Sequence, residues 1–330
     1  MPRPFTWIDG ERLVRFGVGA LADAPELLGA RGFEEFTLVT TPRHETDLGA
    51  AQVLQVPPGR VDEVSAQLLP QVSERPLVAL GGGRVIDTAK AIGGVRRVPI
   101  AAMPTTLSGA EMTPFHRVPK GAESPRLVRP ALVIADPDVM ASQPMPDLAA
   151  SAMNALAHAV EALYVPLANP VTDMAALRAA ELFATGLESE PPDRGALALG
   201  ALLAGYSSGA TGFAVHHVLG QTIVRMTGAP HAQTYAALLP LSVRTMVRRA
   251  DEPLGRLARA LGDSDGDPDM APGLVADLAS RAEVNGLGPL GLDRSQIPDV
   301  VEQALARAEL QNTPDPPGRR DLESLLEAAL

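Results

Sequence analysis

The sequence predicts an α/β domain with a parallel sheet, followed by an all-α domain. Three observations lead there. Short β-branched runs alternate with helical periods over residues 1–145, one of these runs leads straight into three glycines and a helix start, and beyond Met145 the β-branched runs give way to Ala/Leu-rich helical periods as far as Leu330. Strand, glycine-rich turn and helix in repeated succession is the doubly wound pattern, whose ligands bind at the carboxyl ends of the strands. The expected domains are 1–145, dinucleotide-binding, and 146–330, helical and carrying the histidine cluster.

Taken in order, residues 1–20 read as short extended pieces about a turn at IDGE, and residues 20–28 as a helix. The compact run FTLVT (36–40) is a buried strand, and QVLQV (52–56) is the next. The connection between them leaves room for a short helix at most. Residues 61–72 have an amphipathic period. PLVAL (76–80) is a strand, followed at once by Gly81, Gly82 and Gly83 and by a helix from Arg84. VPIAA (98–102) and ALVIA (131–135) complete the strands, the first running into Pro104-Thr105-Thr106. In the helical half, breaks are expected at Pro170, Pro191-Pro192, Pro230 and residues 262–273.

Composition narrows the chemistry. With no cysteine, a metal could use only His, Asn, Asp, Glu or water. A formal charge of −11 and 3% aromatics argue against a nucleic-acid surface, which needs clustered cations and stacking rings. No apolar run approaches the roughly 18 residues of a membrane span, and the N-terminal residues lack the apolar core of a secretory signal. A cytoplasmic enzyme with a small anionic substrate, and neither a nucleic-acid nor a membrane partner, is the expectation.

Half of the six histidines fall in one stretch, GFAVHHVLGQTIVRMTGAPHAQTYAALLP (212–240). His216 and His217 lie on an apolar run, and His231 follows a Gly-Ala-Pro break. Upstream, Asn154 and His158 are four apart and project from one face of a helix. His217 and His231 can converge on them, outlining a polar pocket between helices that suits a divalent metal or a substrate's polar atoms. Gly81, Gly82 and Gly83 let backbone N–H groups approach an anion at a helix N-terminus, and Thr105, Thr106 and Ser108 add hydroxyls at the end of the next strand. Arg117, Lys120, Arg126 and Arg129 form a cationic loop, of which Arg117, nearest the hydroxyls, is the candidate for holding an anionic substrate.

The set LGGGRVIDTAKAIGG, MPTTLSGAEMTP, ADPDV, MNALAHAVEALY, HHVLGQT and GAPHAQTYAALLP, in this order, resembles the iron-containing alcohol dehydrogenase superfamily, which has the dehydroquinate synthase-like fold, and most strongly its maleylacetate reductase branch. The resemblance implies a dinucleotide-binding α/β domain, an all-α C-terminal domain, an active site in the cleft between them, hydride transfer from NADH or NADPH, and a homodimer. It places the family's metal-ligand and catalytic positions on Asn154, His158, His217 and His231. The cofactor positions fall on Gly81, Gly82, Gly83, Asp87, Lys90, Thr105, Thr106 and Ser108. Thr41 is a further cofactor candidate, and Arg117, His216 and Gln221 are the candidates for facing the substrate. Thr41, in place of an acidic residue, removes a barrier to the 2′-phosphate of NADPH, and Arg43 could pair with it.

The chain departs from the family at four places. Asn154 replaces an aspartate, so an iron or zinc ion would lack an anionic ligand and is expected to be weakly held or dispensable, with Glu161 the only nearby carboxylate to substitute. Arg84 follows the glycines where serine is usual. Gln221 stands where the family has another histidine and cannot shuttle a proton. The segment from Thr41 to Val56 is short. The expected function is NAD(P)H-dependent reduction of a small carboxylated ketone or enone, in the specific form the carbon–carbon double bond of maleylacetate. The alternative is a non-redox lyase, isomerase or cyclase that uses the histidine pocket for acid–base chemistry.

Overall fold

The computed structural model describes residues 2–43, 48–123 and 126–330, and the chain forms two compact units, Met1–Ser142 and Gln143–Leu330. Residues 44–47, within the short segment between Thr41 and Val56, lie outside the described residues.

The first unit contains a seven-stranded sheet. Its strands are β1 (Phe5–Asp9), β2 (Arg12–Phe16), β3 (Thr37–Thr40), β4 (Gln52–Gln55), β5 (Leu77–Gly81), β6 (Ile100–Pro104) and β7 (Leu132–Ala135), in the order β1-β2-β7-β6-β5-β3-β4. Among the described residues only β1 and β2 pair antiparallel, joined by a turn in which Gly10 takes a φ of 61°. All other pairings are parallel. The helices are α1 (Ala24–Ala30), α2 (Val61–Leu68), α3 (Gly83–Arg96) and the single turn α4 (Pro137–Met140). Strand alternation feeds a core on each face. Val39, Leu77 and Ala79 pack with Val64, Leu68 and Ile86 of α2 and α3. Leu38, Val78 and Leu80 pack with Ala24 and Leu28 of α1. Burial on both faces is why these strands read as unbroken apolar runs.

After β3 the chain moves outward to β4 and then returns to place β5 on the other side of β3. The strand order reverses there, and in such sheets ligands bind at the reversal, beyond the carboxyl ends of the strands. Those ends carry Thr40 and Gly81, and the Thr40 hydroxyl ties them by donating to the Leu80 carbonyl at 2.9 Å. Strand 98–102 of the sequence reading lies two residues later, as β6, and the period over 61–72 closes as α2 plus a 3-10 turn at Leu69–Gln71.

The second unit is helical, and among the described residues it contains no strand. It comprises α5 (Met145–Ala162), α6 (Pro170–Glu188), α7 (Arg194–Thr211), α8 (Val215–Thr227), α9 (His231–Met246), α10 (Asp251–Ala260), α11 (Ala271–Ser280), α12 (Ile297–Leu305) and α13 (Arg319–Ala328). From Leu148 to Ala162 every residue of α5 is buried except the half-buried His158, because α6, α7 and α9 all pack on it. Asn169 caps α6 in a reciprocal box with Thr172, and Pro170 and His231 open their helices where breaks were expected. No single helix among the described residues is long and apolar enough to cross a membrane.

Candidate active site

In the sheet unit, α3 begins at Gly83 with Gly82 as its N-cap, and none of the three glycines has a positive φ. Their use is close approach. A Cβ on Gly81 would meet Val85 at 2.6 Å, one on Gly82 would meet Thr106 at 3.0 Å, and one on Gly83 would meet Ser108 at 3.0 Å. The missing side chains therefore bring the Thr106 and Ser108 loop against the free end of a 14-residue helix. Thr105 is held in the same cluster by its N–H, which donates to the Gly81 carbonyl at 3.1 Å. Unpaired N–H groups, the positive helix end and adjacent hydroxyls together suit a pyrophosphate.

One residue expected at the cofactor, Lys90, has other partners. Lys90 is fully buried, and its ammonium donates to the carbonyls of Ala110, Thr113 and Phe115 and to the Thr113 hydroxyl, besides lying 2.7 Å from Asp87. It pins the loop behind the hydroxyls instead of reaching toward a ligand. Arg117 and Arg84 are exposed, and Thr41 is half-buried. Sequence reading missed Glu111. It is fully buried, neither carboxylate oxygen has a hydrogen-bond partner, and burial pushes its pKa up to about 7 against the opposing pull of its own backbone N–H, Lys90 and Arg12.

In the helical unit, five rings gather from α5, α8 and α9. His158 stacks on His217 with centroids 4.2 Å apart, and Tyr235 meets His216 and His217 edge-on at 5.1 and 5.2 Å. His231, exposed in the first turn of α9, stacks on Tyr235 at 4.2 Å. The structure thus joins His158 and His217 directly, and His231 through Tyr235. Gly220 makes room for this, since a Cβ there would lie 2.6 Å from the Tyr235 ring. Asn154 is buried one turn before His158 with its Oδ1 unpartnered, and the Nε2 atoms of His216 and His217 are likewise buried without partners. His158 Nδ1 lies 3.1 Å from Ser208 Oγ, and His216 Nδ1 lies 2.9 Å from Ser242 Oγ. Gln221, on α8, is half-buried.

Glu161 is the correction to the sequence reading. It does not offer itself as a ligand. Its oxygens are taken up by the N–H groups of Ala214, His216 and His217 at 2.9, 2.7 and 3.4 Å and by His217 Nδ1 at 2.5 Å. The Thr313 hydroxyl accepts from the Val215 N–H at 3.1 Å. A helix start with no cap of its own is thereby satisfied from two distant segments. Burial lowers the pKa of both His216 and His217 to about 3, helped at His216 by His217 and at His217 by His231 and Arg307, so both rings are neutral near pH 7. Burial raises that of Glu161, opposed by His216 and the three N–H donors.

Residues 15–144 match the family described as iron-containing alcohol dehydrogenase, and residues 148–330 match the Fe-containing alcohol dehydrogenase family, C-terminal. The chain belongs to the iron-containing alcohol dehydrogenase family. It is an oxidoreductase of that family. Maleylacetate reductase 1 of Rhodococcus opacus is 36% identical over 263 residues, covering 77% of this chain and 72% of that protein. The maleylacetate reductase of Burkholderia cepacia is 32% identical over 340 residues, covering 96% and 95%. The crystal structure of maleylacetate reductase from Agrobacterium tumefaciens superposes with a TM-score of 0.84 at 26% identity, covering 100% of this chain and 99% of that one.

The family implies a nicotinamide nucleotide, and the glycine and hydroxyl cradle fits one. Its name implies iron, and here the fit fails. Among the described residues no three His, Asp or Glu side chains are placed to hold a metal ion. The His158 and His217 rings face each other at an interplanar angle of 29°, and Asn154 brings a neutral oxygen where a carboxylate would lower the charge of the site.

Proposed function

We propose that the protein is an NAD(P)H-dependent maleylacetate reductase, and that it works as a cytoplasmic homodimer without a resident metal. The observation that carries the reaction is the stacked His158–His217 pair in a chain 32% identical, over 96% of its length, to a maleylacetate reductase. Gly81, Gly82, Gly83, Thr105, Thr106 and Ser108 would hold the nucleotide. When bound, the nicotinamide supplies the hydride. The substrate's carbon–carbon double bond would take up that hydride and one proton to give 3-oxoadipate, the nucleotide being oxidised in balance. Asn154, His158, His217 and His231 contact the substrate oxygens and govern the proton. The family resemblance is what supports the homodimer, and light scattering tests it.

Calorimetric titration with NADH and with NADPH is the test. At least one is expected to bind. Failure of both would overturn the reading and favour a lyase, isomerase or cyclase, for which Gln221 and Arg84, standing in place of the family's usual His and Ser, are the motive. Elemental analysis with an EDTA challenge tests the metal proposal. Activity that survives chelation is expected; near-stoichiometric metal, with activity lost on chelation and restored by a divalent ion, would refute it.

A further inference from the structure

The reaction as proposed has no use for Glu161, although it is the most heavily bonded side chain of the cluster. Four donors converge on it, and three are backbone N–H groups at the start of α8. An N–H group cannot accept a proton. If Glu161 were protonated, His217 Nδ1 would be the only acceptor among these partners, and a hydrogen would then sit on His217 Nε2, buried with no partner. If Glu161 is a carboxylate, every donor is satisfied, the positive end of a 13-residue helix faces an anion, and Nδ1 carries the hydrogen.

We propose that Glu161 is a positioning residue that holds His217 as its Nδ1–H tautomer, so that His217 meets the substrate through an unprotonated Nε2 and serves there as an acceptor only. The inference deepens the proposed function and rests on His217 belonging to the substrate site. It divides the labour among the imidazoles. His217 cannot polarise a carbonyl by donating to it, so it recognises a hydroxyl, enol or protonated carboxyl of the substrate. The proton that completes the reduction enters from His158 or His231. Thr313 shares the capping of α8 but touches no imidazole nitrogen, which makes it the control.

The test is long-range proton–nitrogen NMR on the full chain with 15N-labelled histidine near neutral pH, the His217 signals being assigned by their loss in His217→Gln. The expected pattern is a protonated Nδ1 and a bare Nε2. A protonated Nε2 in the unaltered protein would overturn the proposal without any further variant. Glu161→Gln places an NH2 group within reach of Nδ1 and is expected to invert or mix the tautomers, with kcat reduced at least about tenfold and KM moved less. An unchanged tautomer in that variant would also overturn the proposal. Thr313→Val is expected to lower stability and leave the tautomer alone; a tautomer that changed there as well would reduce Glu161 to an ordinary helix cap. Failure of the reductase reading has a separate sign, absence of NAD(P)H oxidation by the unaltered protein, which leaves the tautomer signal untouched.

Discussion

The sheet unit makes its candidate site from backbone, missing side chains and short hydroxyls, all within 81–108. The helical unit makes its own from imidazoles of α5, α8 and α9, whose ring nitrogens meet Glu161, Ser208 and Ser242 on three different helices. The first is local in sequence and leaves little room for a Cβ, which would lie 2.6 Å from Val85 at Gly81 and 3.0 Å from Thr106 and Ser108 at Gly82 and Gly83. The second is distributed, and its chemistry depends on which partner each ring nitrogen faces. Damage to the first should therefore read out as lost nucleotide affinity, and damage to the second as lost turnover with binding retained.

The largest effect is expected from His217→Ala. Turnover should fall by about 10²- to 10⁴-fold, while NAD(P)H binds as before by calorimetry. Loss of nucleotide affinity in that variant would break the division between the two regions. Gly82→Val is the converse. The added Cβ would run into Thr106 at 3.0 Å and separate the hydroxyl loop from the helix end. Losing one or two charge-assisted hydrogen bonds, at about 1.5–3 kcal/mol each, weakens nucleotide binding roughly 100-fold or more. A dissociation constant within a few-fold of the parent would remove the cradle from the account.

Next comes a pH effect confined to the sheet unit. Fully buried Glu111 faces Lys90, Arg12 and Asp87 and has a folded-state pKa of about 7, above its ordinary 4.5. The folded chain keeps a proton that the unfolded chain gives up. Stability is thus expected to fall as pH rises from the ordinary carboxylate range to about 7, by something of the order of 3 kcal/mol, and then level off. Denaturant titrations should show that fall in the parent and a flatter profile in Glu111→Gln; equal slopes would contradict it. The smallest effect belongs to Gly220→Ala in the helical unit. A Cβ 2.6 Å from the Tyr235 ring overpacks the α8–α9 contact, at a cost of about 1–3 kcal/mol in unfolding free energy. Turnover should fall with it, because Tyr235 touches His216, His217 and His231.

The same contrast explains what could be read in advance. The sheet strands announce themselves as apolar runs because both faces are covered, and the glycines fall at the end of such a run, so β5 and the start of α3 were legible to within a residue or two. Asn154 and His158 share a helix face by spacing alone. Glu161, three residues beyond His158, is visible on that face, but its role was not, because its partners lie more than fifty residues away. Lys90 was read as a cofactor contact; only the fold of 110–115 shows that carbonyls claim its ammonium. Nothing local marks Thr313 or Tyr235, whose places are set by how helices pack.

Transfer of hydride from nucleotide to substrate is the claim that joins the two regions, and one measurement addresses it directly. NADH or NADPH carrying deuterium at the transferable position of the nicotinamide is incubated with maleylacetate and the protein, and nucleotide absorbance and product mass are followed together. The account predicts loss of the reduced-nucleotide absorbance and 3-oxoadipate carrying one deuterium for each nucleotide consumed. Unchanged absorbance with both nucleotides, or product without the label, would contradict it.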